Sequence, residues 1–316
     1  MRQLQRKISI GSLSRQPLQV SNTKNKHANT FDELFDSEQW EHPYDFNIPK
    51  YPLLVDIEPT NHCNFTCKFC NREIMKRPKG YMDFRLYERI IKQLFGKVFY
   101  LKFSRWGEPF LHPQIYDMFR LAKKHIIKVH VTTNGSLVDI DRLQDVDTIY
   151  FSMQGLNKND YKDLRGNSFI DLKRKIRELS KHPNKKRPHV CLSTSVLDEK
   201  PIEVKAFVDY WSQIVDKVQV GRTTFTWLGK NDYIKKQTFK LRSEPCRDIR
   251  LRLSIDWNGD VTPCCTDFDG FMTIGNIGKN TIEQLWRNDK IEYMRKQIKE
   301  RNFGFNKLCA RCNQQW

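Results

Sequence analysis

Between residues 51 and 220, short β-rich apolar runs alternate with segments of helical period, and no other feature constrains the fold as strongly. The runs fall at 53–57, 98–103, 127–132, 148–153, 190–196 and 215–220. The helical segments fall at 84–94, 115–125, 171–179 and 202–214, with a short one near 137–143. Parallel neighbours need a crossover, so strands that alternate with helices predict a parallel sheet. Right-handed crossovers curl such a sheet, and the expected fold class is α/β, a partial (β/α)6 TIM-like barrel. No Gly-rich fingerprint follows the first run, which argues against a dinucleotide site of the Rossmann type. In a barrel of this kind the loops after the strands carry the chemistry.

From about residue 240 the pattern changes. Residues 251–255 read as a strand, Asn258, Gly259 and Asp260 supply turn chemistry, and Val261 begins a return strand that Pro263 cuts short. A helix is expected over 281–299. Residues 1–50 are polar and aperiodic, with a short helix expected at 32–40, and read as an extension partly disordered or draped over the body. The expected organisation is an extension at 1–50, a barrel at 51–239 and a small hairpin-plus-helix module at 240–316. No stretch has the ~18 apolar residues of a membrane span, and the first residues lack the apolar run of a signal peptide. A cytoplasmic protein without a membrane partner is expected. The net charge is +18, from 55 Lys+Arg against 37 Asp+Glu. It fits an anionic small-molecule substrate, and it fits equally a set of solvated lysine-rich helix faces. No nucleic-acid-binding motif accompanies it, so nucleic acid is not an expected partner.

The nine cysteines point to metal or redox chemistry, since a reducing compartment disfavours disulfides. Cys191 stands alone in a strand-like run and reads as a core thiol. Cys63, Cys67 and Cys70 form a C-x3-C-x2-C group directly after the first strand. Three thiolates bind three irons of a [4Fe–4S] cluster and leave one iron open. Zinc wants four ligands, and His62 abuts Cys63 too closely for easy joint tetrahedral ligation. Cys246, Cys264, Cys265, Cys309 and Cys312 form a second group, for which a cluster and a zinc knuckle both remain open.

The first group resembles the motif of the radical S-adenosylmethionine (SAM) superfamily, and the similarity extends over residues 51–316. The resemblance implies a cluster on Cys63, Cys67 and Cys70 whose open iron chelates SAM. Phe69 matches an aromatic position that packs near the adenine. Gly107-Glu108-Pro109, past the second strand, resembles the family's GEP motif, which binds the SAM ammonium; the residues alone also allow Glu108 to cap the following helix. Arg105 and Trp106 depart from the usual Gly-Gly-Glu-Pro form. Thr133-Asn134-Gly135 is similar to a recurrent turn, and Asn134 is a candidate contact. Ser152 and Gln154 lie where the family often has Ser-Leu-Asp-Gly, and Ser195 is a further candidate for SAM binding.

The second group resembles a SPASM auxiliary-cluster module in its shortened, twitch form. That resemblance implies one auxiliary [4Fe–4S] cluster on Cys246, Cys264, Cys309 and Cys312, with Cys264 favoured over Cys265. The spacing is similar to that of the aminocyclitol dehydrogenases of butirosin-type pathways. The implied activity is oxidation of a secondary alcohol on a sugar, cyclitol or nucleotide-linked small molecule, with flavodoxin or ferredoxin as external electron donor. Arg222, just after the sixth strand, is the candidate that binds or helps deprotonate the hydroxyl; an anion contact or a surface salt bridge is its alternative. A peptide- or protein-modifying SPASM enzyme is the alternative activity.

Overall fold

A computed structural model of the chain describes residues 18–21, 46–166, 169–183, 187–196, 199–222 and 241–312. The first strand, β1 (Leu18–Ser21), lies in the expected extension. The six expected strands follow as β2 (Leu54–Ile57), β3 (Tyr100–Phe103), β4 (Lys128–Thr133), β5 (Thr148–Gln154), β6 (His189–Val196) and β7 (Lys217–Arg222). They pair in parallel and in sequence order. Helices α1 (Phe84–Leu94), α2 (Ile115–Lys124), α3 (Lys158–Arg165), α4 (Phe169–Ser180) and α5 (Pro201–Trp211) lie between them.

One face of each of the strands β2 to β7 is mainly apolar. Val55, Ile57, Leu101, Phe103, Val129 and Val131 belong to the same buried cluster as Ile90, Ile91, Met118 and Phe119 of α1 and α2. The alternate positions are more polar, with Asp56 paired in register with Lys102 and Lys102 with His130, and they also hold Leu54, Tyr100, Tyr150 and Cys191. Period-two alternation thus gives the sheet a helix-covered face and a polar inner face.

The extension and the C-terminal module are both built into this sheet: with β8 (Arg252–Ile255), β9 (Asp260–Thr262) and β10 (Gly275–Asn276) it runs β1-β7-β6-β5-β4-β3-β2-β8-β9-β10. β1 pairs antiparallel with β7. The helix expected at 32–40 lies outside the described residues. A short helix, α6 (Asp248–Leu251), leads into β8 (Arg252–Ile255), which pairs in parallel with β2. β9 (Asp260–Thr262) returns antiparallel to β8, and β10 (Gly275–Asn276) pairs with β9. The hairpin turn places Gly259 at φ +87°, a left-handed conformation that glycine adopts without strain. The sheet therefore crosses the boundary expected at residue 240, because β2 has a second free edge that β8 completes.

Two helical expectations are corrected. The helix expected over 281–299 is two, α7 (Ile282–Trp286) and α8 (Asp289–Lys299), because the Asn288 side chain accepts from the Ile291 amide at 3.0 Å and starts a new helix. The segment near 137–143 holds only a 3-10 turn, Ile140–Arg142, closed by Asp139, too short to nucleate an α-helix. A last helix, α9 (Lys307–Ala310), carries Cys309. Among the described residues no helix is long and apolar enough to cross a membrane.

Candidate active site

The loop after β2 is held before it reaches its cysteines. The Asn61 side chain donates to the Pro78 carbonyl at 2.8 Å and accepts from the Gly80 amide at 2.9 Å. Thr60 Oγ1 donates to the Gly80 carbonyl at 2.6 Å. Cys67 is buried and Cys63 and Cys70 are half-buried, and none of the nine cysteines forms a disulfide. The Cys70 amide donates to the Cys67 carbonyl at 3.0 Å, which turns the two residues toward one another. Both Cys63 and Cys70 lie close enough to Cys67 to feel its charge. Burial pushes the Cys63 thiol up and Cys70 up to about 11. Such thiols stay protonated at neutral pH unless a cation compensates them, and a coordinating metal deprotonates a thiol outright. The donor set thus fits a metal cluster. No three His, Cys, Asp or Glu side chains among the described residues lie close enough to share a single metal ion.

The turn after β3 seals against this loop. A Cβ on Gly107 would stand 2.0 Å from the Thr60 carbonyl oxygen and 2.7 Å from that of His62, so only glycine fits. The Glu108 amide donates to the His62 carbonyl at 2.8 Å. Its carboxylate is buried and accepts from Thr133 Oγ1 at 2.7 Å, the Asn134 amide at 2.8 Å and the Phe110 amide at 3.3 Å. Glu108 therefore does cap the short 3-10 turn Pro109–Leu111, and it also fastens the turn after β4. Burial pushes its carboxyl up, against the three hydrogen bonds that pull it down. Asn134 Nδ2 donates to Asn64 Oδ1 at 2.9 Å and lies 4.0 Å from Cys63 Sγ. Glu108 and Asn134 are thus joined to each other and to the cysteine loop.

The end of β5 holds a residue that the sequence reading passed over. Arg165, the last residue of α3, is buried, and its Nη1 donates to the Ser152 carbonyl at 2.6 Å and to Gln154 Oε1 at 3.1 Å. Its guanidinium sits 5.7 Å from the Phe65 ring and 5.8 Å from the Phe69 ring. Its Nε has no hydrogen-bond partner, and no carboxylate pairs with it among the described residues. The guanidinium thus stands beside the cysteine loop with a donor to spare, near enough for Glu108 to feel its charge. The available signal was a charged residue in the apolar stripe Tyr161, Leu164, Arg165 of a short helix. Ser195 pairs in register with Gln154, and so shares that end of the sheet. Arg222 is the last residue of β7, paired in register with Val196, and its side chain lies outside the described residues.

The second cysteine group also gathers. Cys309 feels the charge of Cys264, Cys246 and Cys312, and Arg242 lies near both Cys246 and Cys312. The Arg242 amide donates to the Cys312 carbonyl at 2.7 Å. Burial pushes Cys264 up to about 12 and Cys309 higher still. Cys265 turns away, to Asp248 and Arg252. Of the two adjacent thiols, Cys264 is the one that the fold sets among Cys246, Cys309 and Cys312, and the set fits a four-thiolate site by the same argument as the first loop.

Residues 57–210 match the family model of the radical SAM superfamily, and residues 246–313 match an iron–sulfur cluster-binding domain, SPASM. The chain belongs to the radical SAM superfamily. It is 27% identical over 265 residues to the S-adenosyl-L-methionine-dependent 2-deoxy-scyllo-inosamine dehydrogenase of Niallia circulans, covering 82% of this chain and 92% of that one. It is 22% identical over 293 residues to the cofactor-modifying protein of a tungsten-containing aldehyde ferredoxin oxidoreductase from Pyrococcus furiosus, covering 76% and 82%. The fold is similar to that of BtrN in complex with AdoMet and 2-DOIA, with a TM-score of 0.55, 22% identity and 83% and 93% of the two chains covered. It is also similar to SuiB of Streptococcus suis bound to S-adenosylmethionine, with a TM-score of 0.59, 18% identity and 86% and 74% covered. The chain is thus a radical SAM enzyme, with SAM and a [4Fe–4S] cluster as cofactors and a domain for further iron–sulfur binding.

Proposed function

We propose that this enzyme oxidises a secondary alcohol on a sugar, cyclitol or nucleotide-linked small molecule. The observation that carries the reading is the gathering of four thiols, Cys246, Cys264, Cys309 and Cys312, which supports one auxiliary cluster with every iron ligated by protein. Such a cluster has no iron left for substrate and is suited to accept an electron. The similarity to an inosamine dehydrogenase along most of both chains agrees with it.

In this reading Cys63, Cys67 and Cys70 hold the first cluster and leave one iron for SAM. Given an electron from a donor such as flavodoxin or ferredoxin, that pair would supply the radical chemistry that removes a hydrogen atom from the carbon bearing the hydroxyl. This chain's residues bind and orient. Arg165 receives the SAM carboxylate, and Gln154 and the Ser152 carbonyl aim its guanidinium. Glu108 orders the turn that carries Asn134 and would leave acceptor capacity for the SAM ammonium. Gly107 and Pro109 bring the backbone of their turn against the cysteine loop. Phe69 forms a wall for the adenine, with the Ser195 hydroxyl at the same end of the sheet. Arg222 binds the substrate hydroxyl. Cys246, Cys264, Cys309 and Cys312 would hold the auxiliary cluster, which would supply an acceptor for the electron that the substrate must still lose, with its hydroxyl proton, to become a ketone.

The test is anaerobic turnover with SAM and dithionite against a panel of aminocyclitols, sugars and peptides. The expected result is 5′-deoxyadenosine and a ketone in equal amounts with one of the polyols. Stimulation by peptides alone, with a new thioether or carbon–carbon cross-link, would instead establish the peptide-modifying alternative.

A further inference from the structure

The dipeptide that departs from the family's usual Gly-Gly-Glu-Pro form, Arg105-Trp106, has a structural use. Arg105 sits at φ +90°, a strained conformation for a residue with a side chain. Its side chain is only 1% exposed. Nη1 donates to the carbonyls of Cys264 at 3.1 Å and Cys265 at 3.4 Å. Nη2 donates to the Asp267 carbonyl at 2.9 Å and to Asp256 Oδ1 at 2.9 Å. Trp106 Nε1 adds a bond to the same Asp267 carbonyl at 3.1 Å. The next two residues, Gly107 and Glu108, are the ones sealed against Thr60 and His62. One short turn therefore grips both cysteine loops.

Charge sharpens this. Arg105, Asp256, Arg77 and Glu58 form a set of two cations and two anions between the loops, with Arg77 half-buried, bonded to Glu58 and 3.6 Å from Asp256. Within the set, Arg105 is the cation bonded to the backbone of Cys264. A cation fixed beside a cluster favours the form that carries the extra electron, and net charge and hydrogen bonding are among the features that tune cluster potentials.

We propose that Arg105 is the positioning residue of the auxiliary cluster: it fastens the Cys264–Asp267 loop to the SAM-binding turn, and its charge raises the cluster's reduction potential. The proposal rests on the ligand set given above, and its test keeps the two separable. The full chain with Cys63, Cys67 and Cys70 all changed to Ala can load only the second site. In that background the iron content and the midpoint potential, followed by electron paramagnetic resonance, are compared for Arg105, Arg105→Met and Arg105→Lys. About four irons are expected in the Arg105 background, and their absence there overturns the ligand set rather than this proposal. Arg105→Met should disfavour the reduced cluster by about tenfold, a shift of about 59 mV to more negative potential. Arg105→Lys keeps the charge and should stay within about threefold of the parent. An unchanged potential in Arg105→Met overturns the proposal, as does a fall in Arg105→Lys equal to that in Arg105→Met. Should Arg105→Met load no iron, Arg105→Lys decides alone: full loading at the parent potential upholds the role, and failure to load or a tenfold loss overturns it.

Discussion

Arg165 and Glu108 show how differently two buried charges reveal themselves. Glu108 stood in a readable motif, and the structure adds that its carboxylate is already engaged by Thr133, Asn134 and Phe110. Removing it deprives three donors of their acceptor, so Glu108→Ala should cost stability as well as SAM affinity. The stability loss should be about 1–3 kcal/mol, read from chemical denaturation. Arg165 carries no local signal beyond a charge on an apolar helix face, since its value comes from Ser152, Gln154 and Phe69, which are distant in sequence. Arg165→Met keeps the bulk and loses the charge-assisted bonds. It should weaken SAM binding at least tenfold, about 1.4 kcal/mol, in calorimetry. Equal affinity in parent and variant would remove Arg165 from the SAM site. The two cysteine groups, by contrast, stand out by their spacing, and the side-chain bond between Cys265 and Asp248 supports Cys264 as the ligand of the pair.

At the scale of elements, the six parallel strands were legible because their short apolar runs alternate with segments of helical period. α3 was not, because its eight residues are mostly polar and it depends on caps: Asn157 accepts from the Asn159 and Asp160 amides, and Gly166 ends it at φ +79°. β1 and β8 were missed as members of the barrel sheet because pairing partners cannot be read from local pattern. One pair of strands also makes a pH prediction. Asp216, just before β7, accepts from the Val190 amide at 2.8 Å and pairs with Arg187 at 2.7 Å. Burial raises its carboxyl, but Arg187 and the Val190 amide outweigh burial and hold it below the ordinary range. A carboxyl depressed on folding contributes stability above its unfolded value of about 3.9 and loses it as the pH falls through the folded value. Asp216→Asn should therefore lower stability by about 1 kcal/mol at pH 7, after allowance for solvent screening. The gap between parent and variant in urea midpoint should close below about pH 4. A gap that stays constant down to pH 2.5 would contradict the assignment.

For the whole molecule, the two cysteine groups should load independently. The parent should carry about eight irons if both clusters are [4Fe–4S], and Cys264→Ala should retain about four while still releasing 5′-deoxyadenosine. Cys265→Ala should keep all of them, and half-loading in that variant would exchange the two residues' roles. The pairing of β2 with β8 has a consequence for synthesis. β2 leaves the ribosome early, yet one of its edges stays bare until residues 252–255 have been made almost two hundred residues later. The Glu58 amide, at the root of the first cysteine loop, waits for the Ile255 carbonyl, and the Arg77–Glu58 pair waits for Asp256. During translation the chain thus holds seven of the ten described strands, with an open seam beside its first three cysteines. The segment from residue 252 onward closes that seam, so a nascent chain stalled before it should need chaperone cover and have its first three thiols exposed to oxidation.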